Sequence, residues 1–575
     1  MQKLFQLVFI FLFLFFVQGI LAQTKDKILV QKVDSIFADW DKNNSPGGVV
    51  AVVQDGQTVF KKGYGFANLT KKMPNTLQTQ FNLASIAKQF TAMCIVLLEE
   101  QGRLSLEDDI QKHFPAFQFQ EKITIHHLLT HTSGLREAYV LAALSGKINL
   151  KGEVRRKYNT IENMVALIAK QKDLNFVPGN EHAYTNANFI LLGEIVRKAS
   201  GMSLKDFAEK HIFQPLQMKN TYFNDKTATI TPQRAIGYQI RKNKSFKATR
   251  LDDRGIVGDH NLISTVDDLI LWQANFFDNQ LGKKSAHLIE KMQTRFVLNN
   301  GDTLAYGLGL NVYPYKNHLL VGHGGDDYRF TSFMLRFPKE KLAIICLSNQ
   351  NNYEITQNGV FAIADLFLNV SPKIDSSKKQ YKFIDFDKNY FADKVGNYQG
   401  IEKKNAFWLH QIHLIEDKAY WSFGYNNLKY KKEILALDNQ YFVVKIDEPS
   451  NYLEIWFSKN EKGETLLHEK FKKDTLDFIQ SQTTNLTKKD LKKFIGVYKN
   501  PEINSRMKVK IRKNNLLLVF RGIIRIKTIP MNDNTFYAFN NQAFIRFRKD
   551  EKGRVKEFII DANDFRNFRF VKTKP

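Results

Sequence analysis

The sequence predicts an α/β (α+β) fold over residues 23–370, an antiparallel sheet drawn from both ends of that segment with a helical region inserted between, followed by two small all-β modules. Three observations carry this reading. Apolar, β-branched runs open and close the segment, helical spacings of apolar residues fill its middle, and short aromatic strands beyond it repeat at offsets of 100 and 90 residues. At about 150 residues per domain, a chain of 575 residues argues for three to four domains and against one core. With 43% hydrophobic and 25% charged residues, 31 Gly and 13 Pro, the disordered, collagen-like and low-complexity classes are excluded.

Residues 1–22 carry one cation, Lys3, then an apolar stretch from Leu4 to Val17 broken only by Gln6. This pattern predicts a secretory signal peptide, a mature chain beginning near Gln23, and export to the periplasm or the medium. The apolar core is shorter than the ~18 residues a membrane span requires, and no later stretch reaches that length, so no stable transmembrane span is expected. No Cys follows the expected cleavage point, which leaves no thiol there for lipidation.

Val49 to Val53 and Thr58 to Tyr64, separated by Asp55-Gly56, read as a hairpin. Ser85 to Gln101 places Ile86, Phe90, Met93, Val96 and Leu97 at helical spacing and stops at Gly102, a C-cap residue. Helical patterns follow over Glu162 to Ala169, Ala187 to Ala199, Ser203 to Ile212 and Val266 to Phe277. Strand patterns return at Leu308 to Val312, His318 to Val321, Thr331 to Phe337 and Leu342 to Leu347, and a helix from Glu354 to Leu368 closes the unit. The polar, Lys-rich stretch at 371–390 reads as a linker. Cys94 and Cys346 both lie inside apolar runs and read as buried thiols in preference to a disulfide.

Beyond the linker, Val395-Gly396-Asn397-Tyr398 matches Ile495-Gly496-Val497-Tyr498, and Phe457 to Gly463 matches Phe547 to Gly553. These repeats predict two related modules at 391–480 and 481–575, small barrels or sandwiches. The second is strongly basic: residues 481–575 hold 23 Lys or Arg against 8 Asp or Glu, +15 of the chain's +26. Basic residues alternating with apolar ones, as from Val509 to Arg512 and from Phe544 to Arg548, read first as strands with a solvated face. The partner such a face would attract is an anionic cell-wall polymer. Nucleic acid is disfavoured by export and by the absence of a recognisable DNA- or RNA-binding motif. The modules are therefore expected to localise the protein, and a chain ending near Val370 to keep its turnover of small substrates.

Three short motifs carry chemistry. Ser85-Ile86-Ala87-Lys88 opens an apolar helix, where residues three apart share a face and an amine can approach a hydroxyl, as a serine nucleophile without a histidine base requires. The same tetrad spacing occurs at Ser376 to Lys379 and Ser505 to Lys508, but neither opens an apolar helix. Tyr184-Thr185-Asn186 lies on a loop entering a helix, and His323-Gly324-Gly325 lies at the end of one strand just before the next, where glycine lets a substrate backbone approach. His126, His127 and His131 cluster at a helix-to-loop corner and read as structural. No His, Cys and carboxylate set has ligand spacing, so neither a metal nor a cofactor is expected.

In order and context these motifs resemble the penicillin-recognising serine hydrolases, specifically the branch of class C β-lactamases, D-aminopeptidases, DD-peptidases and esterases. The flanks agree: Leu83 to Gln89, Leu128 to Leu135, Pro215 to Met218, and Leu262 to Leu269 with Trp272 are similar to that family's signatures. The resemblance covers about residues 30 to 370 and implies a β-lactamase-like fold. It implies that Ser85 forms an acyl-enzyme, that Lys88 and Tyr184 share proton handling, and that Asn186 and His323 contact substrate. It also implies that the Ser85 N–H and a strand N–H near Asp326, beside Gly324 and Gly325, form the oxyanion hole. His323 departs from the lysine often found there, which points to esterase, carboxypeptidase or D-peptidase chemistry on a small-molecule or peptide substrate more than to efficient β-lactam hydrolysis. The competing readings are a β-lactam-hydrolysing or penicillin-binding protein, and a catalytically silent surface-binding protein that uses its basic modules.

Overall fold

The computed structural model describes residues 29–573 apart from 43, 148–159, 226–230, 242–244, 250–254, 328, 369–381, 386, 402–407, 424–430, 439, 448–450, 472–473, 482–485, 521–523, 539–542 and 563–564. The expected signal peptide at 1–22 and residues 371–381 of the expected linker lie outside the described residues. Six antiparallel strands form the sheet of the first unit: β1 (Gly48–Gln54), β2 (Gln57–Tyr64), β3 (Asn311–Tyr315), β4 (His318–Asp326), β5 (Thr331–Phe337) and β6 (Leu342–Ser348). Their order, β3-β4-β5-β6-β1-β2, joins the two ends of the segment at β1 and β6, where Val50 faces Cys346 and Ala51 faces Ile345.

Both faces of this sheet are covered. Val50, Val52, Ile344 and Cys346 pack with Val360 and Ile363 of helix α5 (Tyr353–Phe367), whereas Val49, Ala51, Ile345 and Leu347 join the helical core. That core is built on α1 (Ala87–Glu100), α2 (Ala138–Leu144), α3 (Asn186–Ser200) and α4 (Val266–Asn275). Burial on both sides explains why β1 and β6 read as continuous apolar runs, each such side chain contributing about 1.5–3 kcal/mol. Every residue from Ala87 to Leu98 is buried, so α1 is a central helix and carries Lys88 into the interior. Cys94 and Cys346 are buried and unbonded, and burial pushes both thiols up.

Two differences from the sequence reading have physical causes. The helix expected from Ser85 starts as a 3-10 turn, Ala84–Ile86, before α1. The strand expected to stop at Val321 runs through His323-Gly324-Gly325 to Asp326, because β5 supplies ladder partners as far as Thr331 and compensates for the low strand preference of glycine.

Each C-terminal module is a closed eight-stranded barrel, the first from Gly396–Gly400 to Asp474–Ser481 and the second from Gly496–Asn500 to Phe565–Lys572. In both, a short helix precedes the first strand and a phenylalanine from it, Phe391 or Phe494, is fully buried among the barrel's aromatics. The first of these helices, Lys388–Phe391, begins inside the stretch read as linker. The repeat extends to a shared hydrogen bond: Tyr398 Oη donates to the Lys394 carbonyl and Tyr498 Oη to the Phe494 carbonyl.

The barrels touch through Trp408 and Leu409 of the first packed with Met531, Tyr537 and Phe544 of the second. The second also docks on the first unit. Arg136, fully buried, donates to Glu502 Oε2 at 3.1 Å and to the Arg566 carbonyl at 2.9 Å, the Arg566 N–H donates to Asn175 Oδ1, and Arg566 pairs with Glu181.

Candidate active site

The turn before α1 is held in a left-handed conformation. Ala84 has φ 48° and donates its N–H to Asn82 Oδ1 at 2.9 Å; for a residue with a Cβ this conformation costs about 1–2 kcal/mol. It delivers Ser85, half-buried, to the mouth of α1, with Lys88 one turn on and fully buried.

The Lys88 Nζ meets three acceptors, Ser85 Oγ at 3.2 Å, Asn186 Oδ1 at 2.9 Å and the Asp259 carbonyl at 2.9 Å, and lies 4.9 Å from the centre of the Tyr184 ring. None of the three acceptors is a carboxylate. The amine's donors are therefore spent on aligning the serine and the amide.

Asn186 is the first residue of α3, positioned by the N-cap Thr185. Its amide nitrogen donates to Glu137 Oε1 at 2.9 Å, so its oxygen turns toward Lys88. Glu137 caps α2, accepting the N–H groups of Tyr139 and Val140, and this ties the amide to a second helix. His131 lies in the left-handed region at φ 57°, accepts the Thr185 N–H on Nδ1 at 3.2 Å and packs 4.2 Å from the Tyr184 ring. Burial, then the nearby His182 and Lys88, keep His131 well below the usual histidine range and neutral.

The opposite wall is β4. A Cβ on Gly325 would come 2.3 Å from the Leu83 carbonyl and 3.1 Å from the Ser85 nitrogen, so only glycine lets this strand lie against the serine turn. Gly324 faces the Phe333 ring and Tyr353, and Asp326 stands exposed at the strand's end. His323 is 5% exposed, and both its ring nitrogens are engaged within the protein, Nδ1 donating to the Gly324 carbonyl and Nε2 accepting from Tyr306 Oη at 3.1 Å. Burial, reinforced by the Lys88 charge, pushes the imidazole down to about 4.

The sequence-derived residues thus converge: Ser85, Lys88 and Asn186 are in direct contact, the Tyr184 ring lies against Lys88, and β4 brings His323 6.1 Å from the Tyr184 ring and Gly325 against Ser85. Sequence reasoning missed Glu137, whose signal was an acidic residue just before an apolar helix, and Tyr306, which has no local signature. It also missed the cluster at the floor, where Asp259 accepts from Tyr139 Oη at 3.0 Å and pairs with His260 Nδ1 at 2.8 Å. Burial would raise the Asp259 carboxyl, but His260, Lys88 and the Tyr139 hydroxyl together hold the group below its ordinary range. Of the three corner histidines, His127 completes a capping box with Thr124 and His126 packs edge-on to Phe296, whereas His131 lines the site. Among the described residues no group of three or more His, Cys, Asp or Glu side chains is placed to hold a metal.

A pH prediction arises from His323. A histidine whose folded value is depressed is charged only as pH falls toward that value, so near pH 6 roughly one molecule in a hundred carries the cation. The ratio of kcat/KM for carboxylate-bearing and neutral substrates is expected to stay flat, within about twofold, from pH 5.5 to 8.5. A rise of that ratio toward pH 5.5 that His323→Gln abolishes would show that the imidazole titrates there and anchors the carboxylate.

A serine aligned by a buried lysine and an asparagine, set between a helical core and the edge of an antiparallel sheet built from both chain ends, defines the class of penicillin-recognising serine hydrolases. The chain belongs to the beta-lactamase family, matching it over residues 32–365, and residues 480–572 match a domain of unknown function, DUF3471. It is 29% identical over 386 residues to penicillin-binding protein 4* of Bacillus subtilis, covering 64% of this chain and 82% of that one. It is 28% identical over 328 residues to protein flp of Staphylococcus aureus (56% and 63% of the two chains), and 27% identical over 363 residues to the D-aminopeptidase of Brucella anthropi (62% and 64%). The match spans less than two thirds of the flp and D-aminopeptidase lengths. Among solved structures, the octameric penicillin-binding protein homologue from Pyrococcus abyssi aligns with TM-score 0.54 and 25% identity over 78% of this chain and all of that one. The D-amino acid amidase of Ochrobactrum anthropi SV3 shares the fold at TM-score 0.50 and 22% identity, over 60% of this chain and 99% of that one.

Proposed function

We propose that the protein is an exported serine hydrolase that acylates Ser85 with the acyl group of D-amino-acid peptides, peptidoglycan-derived amides or related esters. The observation that carries this reading is the simultaneous contact of the fully buried Lys88 amine with Ser85 Oγ and Asn186 Oδ1. In the first step the Ser85 oxygen bonds to the substrate carbonyl carbon, its proton passes by Lys88 or Tyr184 to the leaving amine or alkoxide, and that group departs; in the second, water takes the acyl group and returns the proton to Ser85. Lys88 touches the Ser85 oxygen directly and the Tyr184 ring lies 4.9 Å from its amine, so these two groups share the handling of the serine proton. Asn186 keeps one amide N–H for the substrate's acyl-side carbonyl, and the Ser85 and Asp326 N–H groups stabilise the oxyanion.

The D-aminopeptidase relative supports the choice of D-configured amides, and the neutral His323, already satisfied by Tyr306, supports substrates without a free carboxylate at that wall. Export rests on the signal-like residues 1–22; among the described residues, no helix is long and apolar enough to cross a membrane.

Intact-mass spectrometry after a fluorophosphonate and after a fluorescent penicillin, with kcat/KM on paired D- and L-amino-acid p-nitroanilides, tests this reading. The expected results are a single adduct on Ser85 and at least about a tenfold D preference. Penicillin turnover faster than that of the D-anilides would favour the β-lactam-hydrolysing alternative, and failure of both probes to form a covalent adduct with the folded protein would leave the surface-binding one.

A further inference from the structure

The second barrel distributes its cations unevenly. Most arginines of its later strands are paired, Arg546 with Asp561, Arg569 with Glu557, Arg554 with Asp550, and Arg566 with Glu181. The strand Ser505–Arg512 alternates buried and exposed positions, so Arg506, Lys508, Lys510 and Arg512 all project outward, and none of them pairs with a carboxylate of a described residue.

The neighbouring strands continue this face. Lys508 lies opposite Val519, which lies opposite Arg525, and Lys510 lies opposite Leu517, which lies opposite Lys527. Opposed residues of antiparallel strands share a face, so the surface consists of two successive cation–apolar–cation rungs with further arginines at each end of the first strand. Arg525 and Lys527 are exposed and likewise unpaired among the described residues. The face encloses a groove of about 1020 Å³ whose lining contains no acidic residue. Its floor is recessed: Leu517 and Val519 are 7% and 8% exposed beneath the basic side chains.

Six like charges on two strands flanking an apolar one repel one another, so this face carries an electrostatic cost that a bound anion would relieve. The shape selects the anion. A bilayer-docking face presents apolar side chains beyond its cations, whereas here the apolar residues lie at the bottom. Along the first strand the cations recur every two residues, roughly every 6.5–7 Å, a linear array about 20 Å long. The array starts at Arg506, next to Ser505, whose Oγ donates to the Leu144 carbonyl of the catalytic unit, so a chain lying in the groove would be held beside that unit.

We propose that this groove binds a linear phosphate-bearing polyanion laid along the strand Ser505–Arg512. Inorganic polyphosphate of defined length, titrated against the full-length protein, tests it. Binding is expected to weaken with salt at a log–log slope of about −3 to −4, near 0.7 per phosphate engaged. Lys508→Gln/Lys510→Gln is expected to lower affinity at least tenfold in 50 mM salt and to reduce the slope by about 1.4, with hydrolysis of a small ester unchanged. The control Lys552→Gln/Lys556→Gln, with the same charge loss outside the groove lining, is expected to bind like wild type. An equal loss in the control, an undiminished slope in the groove variant, or vesicles of phosphatidylglycerol that bind the protein and are not displaced by polyphosphate would each overturn the proposal.

Discussion

Ser85→Ala is expected to abolish labelling by a fluorophosphonate and to lower kcat/KM for small esters and amides by at least about 10³-fold while leaving the melting temperature within a few degrees of wild type. The reason lies in the contacts. Ser85 Oγ touches the Lys88 amine and is half-exposed at the mouth of α1, so its removal deletes the only atom that forms the acyl bond and opens no cavity in the core. Lys88→Ala is expected to reduce turnover nearly as much, but with a larger loss of stability. It empties a fully buried position and strips Asn186 Oδ1 and the Asp259 carbonyl of their common donor. Because the two residues act as one unit, the double variant should be little slower than either single one. Peptide mapping that places the fluorophosphonate on a residue other than Ser85, or multiplicative losses in the double variant, would remove the assignment.

Arg136→Ala is expected to destabilise the protein by about 3–5 kcal/mol and to lower kcat by about 10- to 100-fold, although Arg136 touches none of Ser85, Lys88 or Tyr184. Both partners of its ion pair with Glu502 are shut away from water, and burial pushes each toward its neutral form, the guanidinium down and the carboxyl up. Removing one partner leaves the other as a buried, uncompensated charge. The catalytic consequence follows from the next residue: Glu137 holds the Asn186 amide, and the Arg136 carbonyl accepts the Thr185 hydroxyl, so a shift of this segment moves the groups that align Lys88. Arg136→Met/Glu502→Met, which removes both charges, is expected to recover much of the stability lost in the single variant. A chain ending near Val370 loses the same contacts, so full turnover there is no longer the expected result. Urea unfolding with steady-state kinetics on the single and double variants checks this, and an Arg136→Ala protein as stable and as fast as wild type would show that the barrel merely rests on the catalytic unit.

The buried Arg136–Glu502 contact, which no local pattern in the tail announces, marks where local information ends. The helix of α1 was legible because its apolar spacing has the period of a helix, and the same period places Ser85 and Lys88 on one face whatever surrounds them. The flanking strands were legible because burial on both faces leaves unbroken apolar runs, and the two related β modules because the Gly-x-Tyr and Lys-x-Glu-Lys-Gly repeats recur with their turns, whereas their closure into barrels was not. The length of β4 was not legible, since His323-Gly324-Gly325 has no strand preference of its own and becomes a strand only when β5 pairs with it. The candidates for chemistry could be picked from the chain alone, because hydroxyl, amine, phenol and amide are properties of side chains and their order is fixed by the chain. How they are oriented and charged depends on the fold. Glu137 turns the Asn186 amide from 49 positions away, Arg136 meets Glu502 across 366, and His323 is neutral because burial and Lys88 act on it together. Such effects depend on distance and dielectric in three dimensions, which no local pattern encodes.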